Sequence, residues 1–109
     1  MNKKNVKLET DFYGYLINFN SWNKDFANKI AYKENINLNK IHWKLINFLR
    51  TFYKEFKVIP GVRIMVTFLS NKYKNKNIDS RYILRLFPKG PINQAIKIAG
   101  LPKPIKCFF

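Results

Sequence analysis

Apolar residues recur at spacings of three and four along most of the chain, which is the period of a helix that buries one face. The longest such pattern covers residues 40–57, and Asn39 can cap its first turn. Its apolar stripe is long and continuous, and a helix of that kind belongs at the centre of a core. The stripe consists of Ile41, Leu45, Phe48, Leu49, Phe52 and Phe56, widened by Trp43, Ile46 and Tyr53.

The same period predicts four shorter helices, over residues 24–33, 62–73, 81–87 and 92–99. Asn23 or Ser21 can cap the first of them, and Asp79 or Ser80 can cap the third. Gly100 ends the last one, since glycine accepts the left-handed conformation that closes a helix. The inward face of the helix over residues 24–33 should contain Phe26, Ala27 and Ile30. That of the helix over residues 62–73 should contain Ile64, Met65, Phe68 and Leu69.

The N-terminal part follows a different pattern. Residues 6–10 alternate between apolar and polar, residues 11–14 are a turn signal, and residues 15–17 are again β-prone. This order predicts a small β-hairpin, which Trp22 would anchor on the helices because an isolated hairpin is barely stable. We expect residues 1–5 to form a flexible basic tail.

The C-terminal residues form an arm rather than a helix. Pro102 and Pro104 lack backbone N–H groups and favour extended geometry in the residues before them. At ~3.1 Å per residue, a polyproline-like segment from Gly100 reaches about 22 Å by Cys107. Residues 100–109 are therefore predicted to be an arm that carries the only cysteine of the protein away from its body.

Composition is that of one compact domain. A chain of 109 residues, 47% hydrophobic and 17% aromatic, can build a substantial core. No apolar run approaches the ~20 residues that span a membrane, and the N-terminus has no secretory pattern. A single cysteine excludes an intramolecular disulfide and a multi-cysteine zinc site. We expect a cytoplasmic protein that needs no cofactor or metal, because a free thiol persists in a reducing compartment.

The predicted fold class is mainly α. Short helices with tight connections indicate a small orthogonal bundle with helix-turn-helix-like geometry. The N-terminal β-hairpin and the mobile C-terminal arm complete the expected architecture, in a single domain over residues 1–109.

The net charge of +15 has two explanations. It attracts RNA or another polyanion, or it reflects a composition in which Lys, Asn and Ile are all in excess. The compositional explanation is favoured, because charge alone provides only a non-specific contribution to nucleic-acid binding. Direct contact with nucleic acid therefore stays open.

The C-terminal segment contains a long motif. It consists of Arg81-Tyr82, Leu-Phe-Pro-Lys-Gly-Pro at residues 86–91, Gln94-Ala95, Lys-Ile-Ala-Gly-Leu-Pro-Lys-Pro at residues 97–104, and Cys107. This motif resembles the C-terminal signature of the DsrC/TusE family of small sulfur carriers. Weaker matches extend the resemblance over nearly the whole chain, at Gly14-Tyr15-Leu16, Trp22, His42-Trp43, Phe52-Tyr53, Glu55-Phe56 and Arg63.

The resemblance implies a sulfurtransferase in which Cys107 alternates between thiol and persulfide. Family members of the DsrC type use a second arm cysteine, which aligns with Ile96 here, so the single-cysteine chain resembles the TusE branch. That branch implies a TusBCD-like donor complex and a tRNA 2-thiouridylase, with bound tRNA, as the acceptor for wobble-uridine thiolation. One departure is that Phe108 and Phe109 both follow Cys107, whereas the family cysteine is usually penultimate.

Basic residues near the motif are candidates for contacts with the arm or with partners. Lys103 and Lys106 lie close enough in sequence to favour the thiolate of Cys107. Arg81, Arg85 and Lys89 form a further basic set. Two interpretations of this set stay open: its members contact the arm or the acidic surface of a partner, or they are solvated. For His42, the only histidine, a structural hydrogen-bonding role is favoured over catalysis.

Two alternatives to the sulfur carrier remain at this stage. Charge and short helices also suit a helix-turn-helix-like nucleic-acid-binding protein. A structural subunit of a sulfur-relay complex that has lost transfer activity would keep the same fold. Oligomeric state and the identity of any affected tRNA are open questions.

Overall fold

Five α-helices make up most of the computed structural model, which describes residues 10–102. They are α1 Lys24–Lys33, α2 Lys40–Phe56, α3 Val62–Tyr73, α4 Ser80–Leu86 and α5 Pro91–Ile98. Each predicted helix is present with its ends within one residue of the expected positions. The mainly α fold class is thus confirmed, while the orthogonal, helix-turn-helix-like crossing geometry stays a prediction.

Polar side chains begin three of these helices. The Asn23 side chain accepts a hydrogen bond from the Phe26 N–H at 2.8 Å, and Asp79 accepts one from the Tyr82 N–H at 3.2 Å. The Asn39 side chain accepts two such bonds at the start of α2. Each cap satisfies N–H groups that have no partner within the helix. Of the two predicted alternatives at each helix, Asn23 rather than Ser21 caps α1, and Asp79 rather than Ser80 caps α4.

The core is built around α2. Leu45, Ile46 and Leu49 are completely buried there, and Met65 and Leu69 of α3 are buried with them. The remaining fully buried large side chains come mainly from α4, α5 and the segments that follow them: Ile83, Phe87, Ile96, Ile98 and Leu101. As predicted, the longest and most apolar helix lies at the centre.

Two predicted core positions are wrong. Phe56 is 59% exposed, and its ring centroid lies 4.8 Å from that of Phe52. It is exposed because α2 has 17 residues and its neighbours have at most 12, so the last turn of α2 is left uncovered. Ile64 is 37% exposed because Met65 and Leu69 take the inward face of α3.

The predicted N-terminal hairpin is reduced to its turn in the part of the chain that the structure describes. The Asp11 N–H donates to the Tyr15 carbonyl at 2.8 Å, and Gly14 has a φ of +92°. A single antiparallel bridge, between Thr10 and Leu16, flanks this turn. The second strand cannot continue, because the chain enters a 3-10 helix at Phe19–Ser21. The first predicted strand falls mostly on residues 6–9, outside the described residues.

Several sequence-based expectations concern residues 1–9 and 103–109, which the structure does not describe. They include the basic tail and, at the other end, Lys103, Lys106, Cys107, Phe108 and Phe109. Between residues 10 and 102, no helix is both long and apolar enough to cross a bilayer. Within the same residues, no cluster of three or more His, Cys, Asp or Glu side chains is placed to hold a metal ion.

Candidate functional site at the root of the C-terminal arm

Helix α5 ends in a Schellman motif. Gly100 has a φ of +73°, its N–H donates to the Lys97 carbonyl at 3.2 Å, and the Leu101 N–H donates to the Ile96 carbonyl at 3.1 Å. This pair of bonds reverses the chain direction and satisfies two carbonyls at the helix end. The left-handed glycine predicted at this position is confirmed.

Space as well as conformation requires glycine at this point. A Cβ atom added to Gly100 would lie 2.4 Å from Cδ1 of Trp22 and 3.1 Å from Cδ2 of Leu16. The first distance is far inside van der Waals contact. The backbone at the start of the predicted arm is thus pressed against the indole of Trp22.

The first two residues assigned to the predicted arm lie in the core. Gly100 is buried and Leu101 is completely buried, whereas Pro102 is partly exposed. Leu101 joins the core because its side chain gains more from burial than from solvent. Cys107 follows Pro102 by five residues, so it lies at most about 18 Å away at ~3.6 Å per residue.

Side chains from two distant segments fasten the end of α5. Nε1 of Trp22 donates to the Ile98 carbonyl at 2.9 Å, and Nη1 of Arg50 donates to the Ala99 carbonyl at 2.9 Å. With the backbone bonds from Ala99, Gly100 and Leu101, every carbonyl from residue 95 to residue 99 has a donor. Trp22, which was expected to anchor the hairpin, therefore anchors the root of the arm.

Arg50 occupies the centre of this cluster. Its Nη2 donates to the Phe19 carbonyl at 3.0 Å, and its Cζ lies 3.9 Å from the ring centroid of Phe19 and 4.4 Å from that of Trp22. Burial lowers the pKa of Arg50 to about 10, so the guanidinium remains charged at neutral pH. Its only sequence signal was a charged residue beside the apolar stripe of α2, which did not mark it as functional.

A second polar cluster joins the end of α1 to α5. Gln94 is buried and uses both ends of its amide, accepting from the Lys89 N–H at 3.0 Å and donating to Oε1 of Glu34 at 2.9 Å. The other carboxylate oxygen of Glu34 lies 3.6 Å from Nζ of Lys97. Burial, with the nearby Asp11 and Glu34 carboxylates, raises the pKa of Tyr15.

The predicted basic contact at Arg81 lies on the surface of α4. Its Nη2 lies 3.3 Å from Oδ2 of Asp79, and its side chain is 82% exposed. Exposed pairs of this kind contribute little to stability. The described partner of Arg81 is therefore the cap of its own helix rather than a group at the end of α5.

His42 has the structural role that was favoured from the sequence. It is buried, its Nδ1 accepts the Asn39 N–H at 3.1 Å, and its Nε2 lies 2.8 Å from the Leu86 carbonyl, to which it donates. Nδ1 also lies 3.0 Å from Oδ1 of Asn39, and the lowered pKa of the ring favours the neutral form protonated on Nε2. Burial lowers the pKa of His42, and the hydrogen bond to Leu86 opposes that shift only in part.

Comparison with known proteins assigns the fold and this C-terminal signature to a family. Residues 2–108 match the sequence model of the family described as DsrC like protein. The chain belongs to this family. It is 50% identical over 102 residues to sulfurtransferase TusE of Photorhabdus laumondii, with 94% of this chain and 92% of the relative covered. It is 48% identical to sulfurtransferase TusE of Escherichia coli K12, with 94% of each chain covered.

Solved structures agree with this membership. The NMR structure of DsrC from Allochromatium vinosum superposes with a TM-score of 0.85 at 37% identity, covering 98% of this chain and 96% of that one. Together, the family and its TusE relatives give this protein the sulfurtransferase role of a sulfur carrier.

In this chain, a buried isoleucine occupies the position at which a second arm cysteine is expected. Ile96, the residue at which the resemblance predicts that cysteine in DsrC-type members, is completely buried in α5. Cys107 is the only cysteine in the sequence. Any sulfur held by this chain as a cysteine persulfide must therefore be held on Cys107.

Proposed function

We propose that this protein relays sulfur as a persulfide on Cys107. The Cys107 thiolate attacks the terminal sulfur of a donor persulfide, so that one S–S bond forms, another breaks, and the donor leaves as a thiolate. A nucleophile of the acceptor then attacks the terminal sulfur, and Cys107 leaves as a thiolate. Each half is an exchange that needs no external oxidant or reductant.

The observation that carries this proposal is the change in burial along the chain shortly before the only thiol. The chain passes from a completely buried Leu101 to a partly exposed Pro102, five residues before Cys107. A carrier must present the same sulfur to two proteins in turn, which requires a thiol outside the core. The membership of the sulfurtransferase family supports the same assignment.

The proposed partners are those that the resemblance to the TusE branch implies. A TusBCD-like complex would donate the sulfur in the cytoplasm, and a tRNA 2-thiouridylase with bound tRNA would accept it for wobble-uridine thiolation. Arg81, Lys103 and Lys106 are the proposed contacts to these partners or to the arm. No cofactor or metal takes part in the exchange.

Mass spectrometry tests the proposal directly. After incubation with a persulfide donor and removal of excess donor, the wild-type chain should gain one sulfur atom, about 32 Da, that a reductant removes. Peptide mapping should place the gain on Cys107, and Cys107→Ser should show none. Failure of the wild-type chain to gain sulfur, or an equal gain in Cys107→Ser, would exclude Cys107 as the carrier.

A reconstituted relay tests the partners separately. Addition of the donor complex, the thiolating enzyme and tRNA should give 2-thiouridine with the wild-type chain and none with Cys107→Ser. Loading of Cys107 without any thiolation of tRNA would leave the carrier role intact and show that the acceptor was wrongly assigned.

A further inference from the structure

We propose that Arg50 is a positioning residue for sulfur transfer, which fixes the direction in which the C-terminal segment leaves the body. This inference deepens the proposed function, and it rests on Cys107 being the carrier. The residue lies in the middle of α2, far along the chain from the thiol, and is joined to the root of the arm by side-chain contacts alone.

The guanidinium connects three separate parts of the chain. It projects from α2, donates to the Phe19 carbonyl in the 3-10 helix and donates to the Ala99 carbonyl at the end of α5. The Ala99 carbonyl immediately precedes Gly100, the residue at which the chain reverses direction. Loss of Arg50 would therefore release the last carbonyl of α5 at the hinge point of the arm.

A lysine cannot replace this arrangement. The planar fork of arginine reaches two carbonyls at once, while its face lies against the rings of Phe19 and Trp22. Hydrogen bonds from a charged donor are about twice as strong as neutral ones. Lysine would keep the positive charge but lose the second bond and the planar stacking.

Positioning matters because the distance from the root to the thiol is short. Cys107 lies within about 18 Å of Pro102, so the orientation of the root limits where the thiol can go. A root of fixed orientation confines the thiol to one part of that volume and raises its effective concentration at a docked partner. A loosened root spreads the same thiol over a larger volume.

Transfer kinetics with matched variants test this role. Arg50→Met and Arg50→Lys are compared with Arg63→Met, which removes the same charge from an exposed position on α3. Transfer of sulfur from loaded Cys107 to a protein acceptor should fall by about tenfold in kcat/KM for Arg50→Met, chiefly through kcat, because the loosened root acts after the partner has docked. Loading from a small-molecule persulfide should not change, because such a donor diffuses to the thiol in any direction. Arg50→Lys should recover little of the loss, whereas a role for charge alone predicts full recovery.

A distance measurement tests the geometry without any sulfur chemistry. A nitroxide on the native Cys107 and a second on Lys72→Cys, an exposed position of α3, give a distance distribution by pulsed electron spin resonance. The distribution should broaden in Arg50→Met and Arg50→Lys and keep its wild-type width in Arg63→Met. Denaturant unfolding identifies variants that do not fold, and Arg50→Lys keeps both tests possible if Arg50→Met is one of them.

The outcomes separate this proposal from the carrier function. A broadened distribution together with slower transfer to the protein acceptor supports positioning by Arg50. An unchanged distribution, full recovery by lysine, or a broadened distribution with unchanged transfer overturns it. Sulfur loading that survives in Cys107→Ser would instead overturn the carrier role, while the distance distributions would still report on the root.

Discussion

His42 illustrates how the surroundings of one side chain determine its charge. The ring joins the start of α2 to the end of α4 by accepting from Asn39 and donating to Leu86. A second proton on Nδ1 would end the bond that this nitrogen accepts from the Asn39 N–H and leave Oδ1 of Asn39, 3.0 Å away, as its acceptor. The neutral ring is therefore part of the folded structure, in agreement with the lowered pKa that burial produces.

This lowered pKa predicts a loss of stability in mild acid. Because the pKa of His42 is lower in the folded state than its ordinary 6.5, the unfolded chain takes up the proton first as the pH falls. The contribution is fully present above pH 6.5 and is lost as the pH falls from there towards the folded-state pKa. We expect His42→Gln to cost about 1–3 kcal/mol near neutral pH, because the Leu86 carbonyl loses its donor, while glutamine at this position can still accept from the Asn39 N–H.

Urea unfolding of both chains between about pH 7.5 and about pH 5 provides the measurement. The difference in unfolding free energy between wild type and His42→Gln should narrow as the pH falls. The acidic groups titrate in both chains, so their contribution to the unfolding free energy cancels in this difference. A difference that stays constant with pH would show that protonation of His42 is not linked to folding.

The end of α5 is the element from which the proposed arm would start. Gly100 combines a left-handed φ with close contact to Trp22, and these two constraints can be separated by mutation. We expect Gly100→Ala to destabilise the fold by about 3 kcal/mol, roughly a third from the backbone conformation and the rest from overlap with the indole. In a Trp22→Leu background the same change should cost only about 1 kcal/mol.

The measurement is a double-mutant cycle by denaturant unfolding. Circular dichroism is the appropriate signal, because Trp22→Leu removes one of the two tryptophans that fluorescence would follow. Equal costs of Gly100→Ala in the two backgrounds would contradict the close contact. They would leave only the left-handed backbone as the reason for glycine.

Charge is the dominant property of the whole molecule. The net charge is +15, and the ion pairs in residues 10–102 are Arg81–Asp79 on the surface and Lys97–Glu34 in a partly buried position. Most basic side chains therefore repel one another. Self-repulsion of this kind destabilises a compact state, and salt screens it.

We therefore expect the unfolding temperature to rise with ionic strength. Between about 0.01 and about 0.1 M NaCl the Debye length falls from ~30 to ~10 Å, and the gain should be on the order of 1 kcal/mol, or about 5 °C. Lys74→Glu with Lys76→Glu lowers the net charge to +11, since each change removes two positive units, and should weaken the effect. An unfolding temperature that falls with NaCl would show that ion pairs outweigh the repulsion.

Local chemistry made the helices predictable from the sequence. Their limits follow from apolar periodicity, from caps at Asn23, Asn39 and Asp79, and from the glycine at residue 100. These signals act over a few residues and survive in any tertiary arrangement. The proposal of thiol chemistry at Cys107 came from the resemblance of the C-terminal motif, because a single cysteine near a chain end does not by itself indicate a function.

Only the tertiary structure could show what holds the arm at its root. Phe19, Trp22, Arg50 and Ala99 come from three separate segments, and no sequence period relates them. The exposure of Phe56 and the burial of Leu101 depend in the same way on which neighbours happen to cover them. Short-range preferences thus determined the helices of this protein, whereas long-range packing decided that the partly buried guanidinium of Arg50 contacts the end of α5.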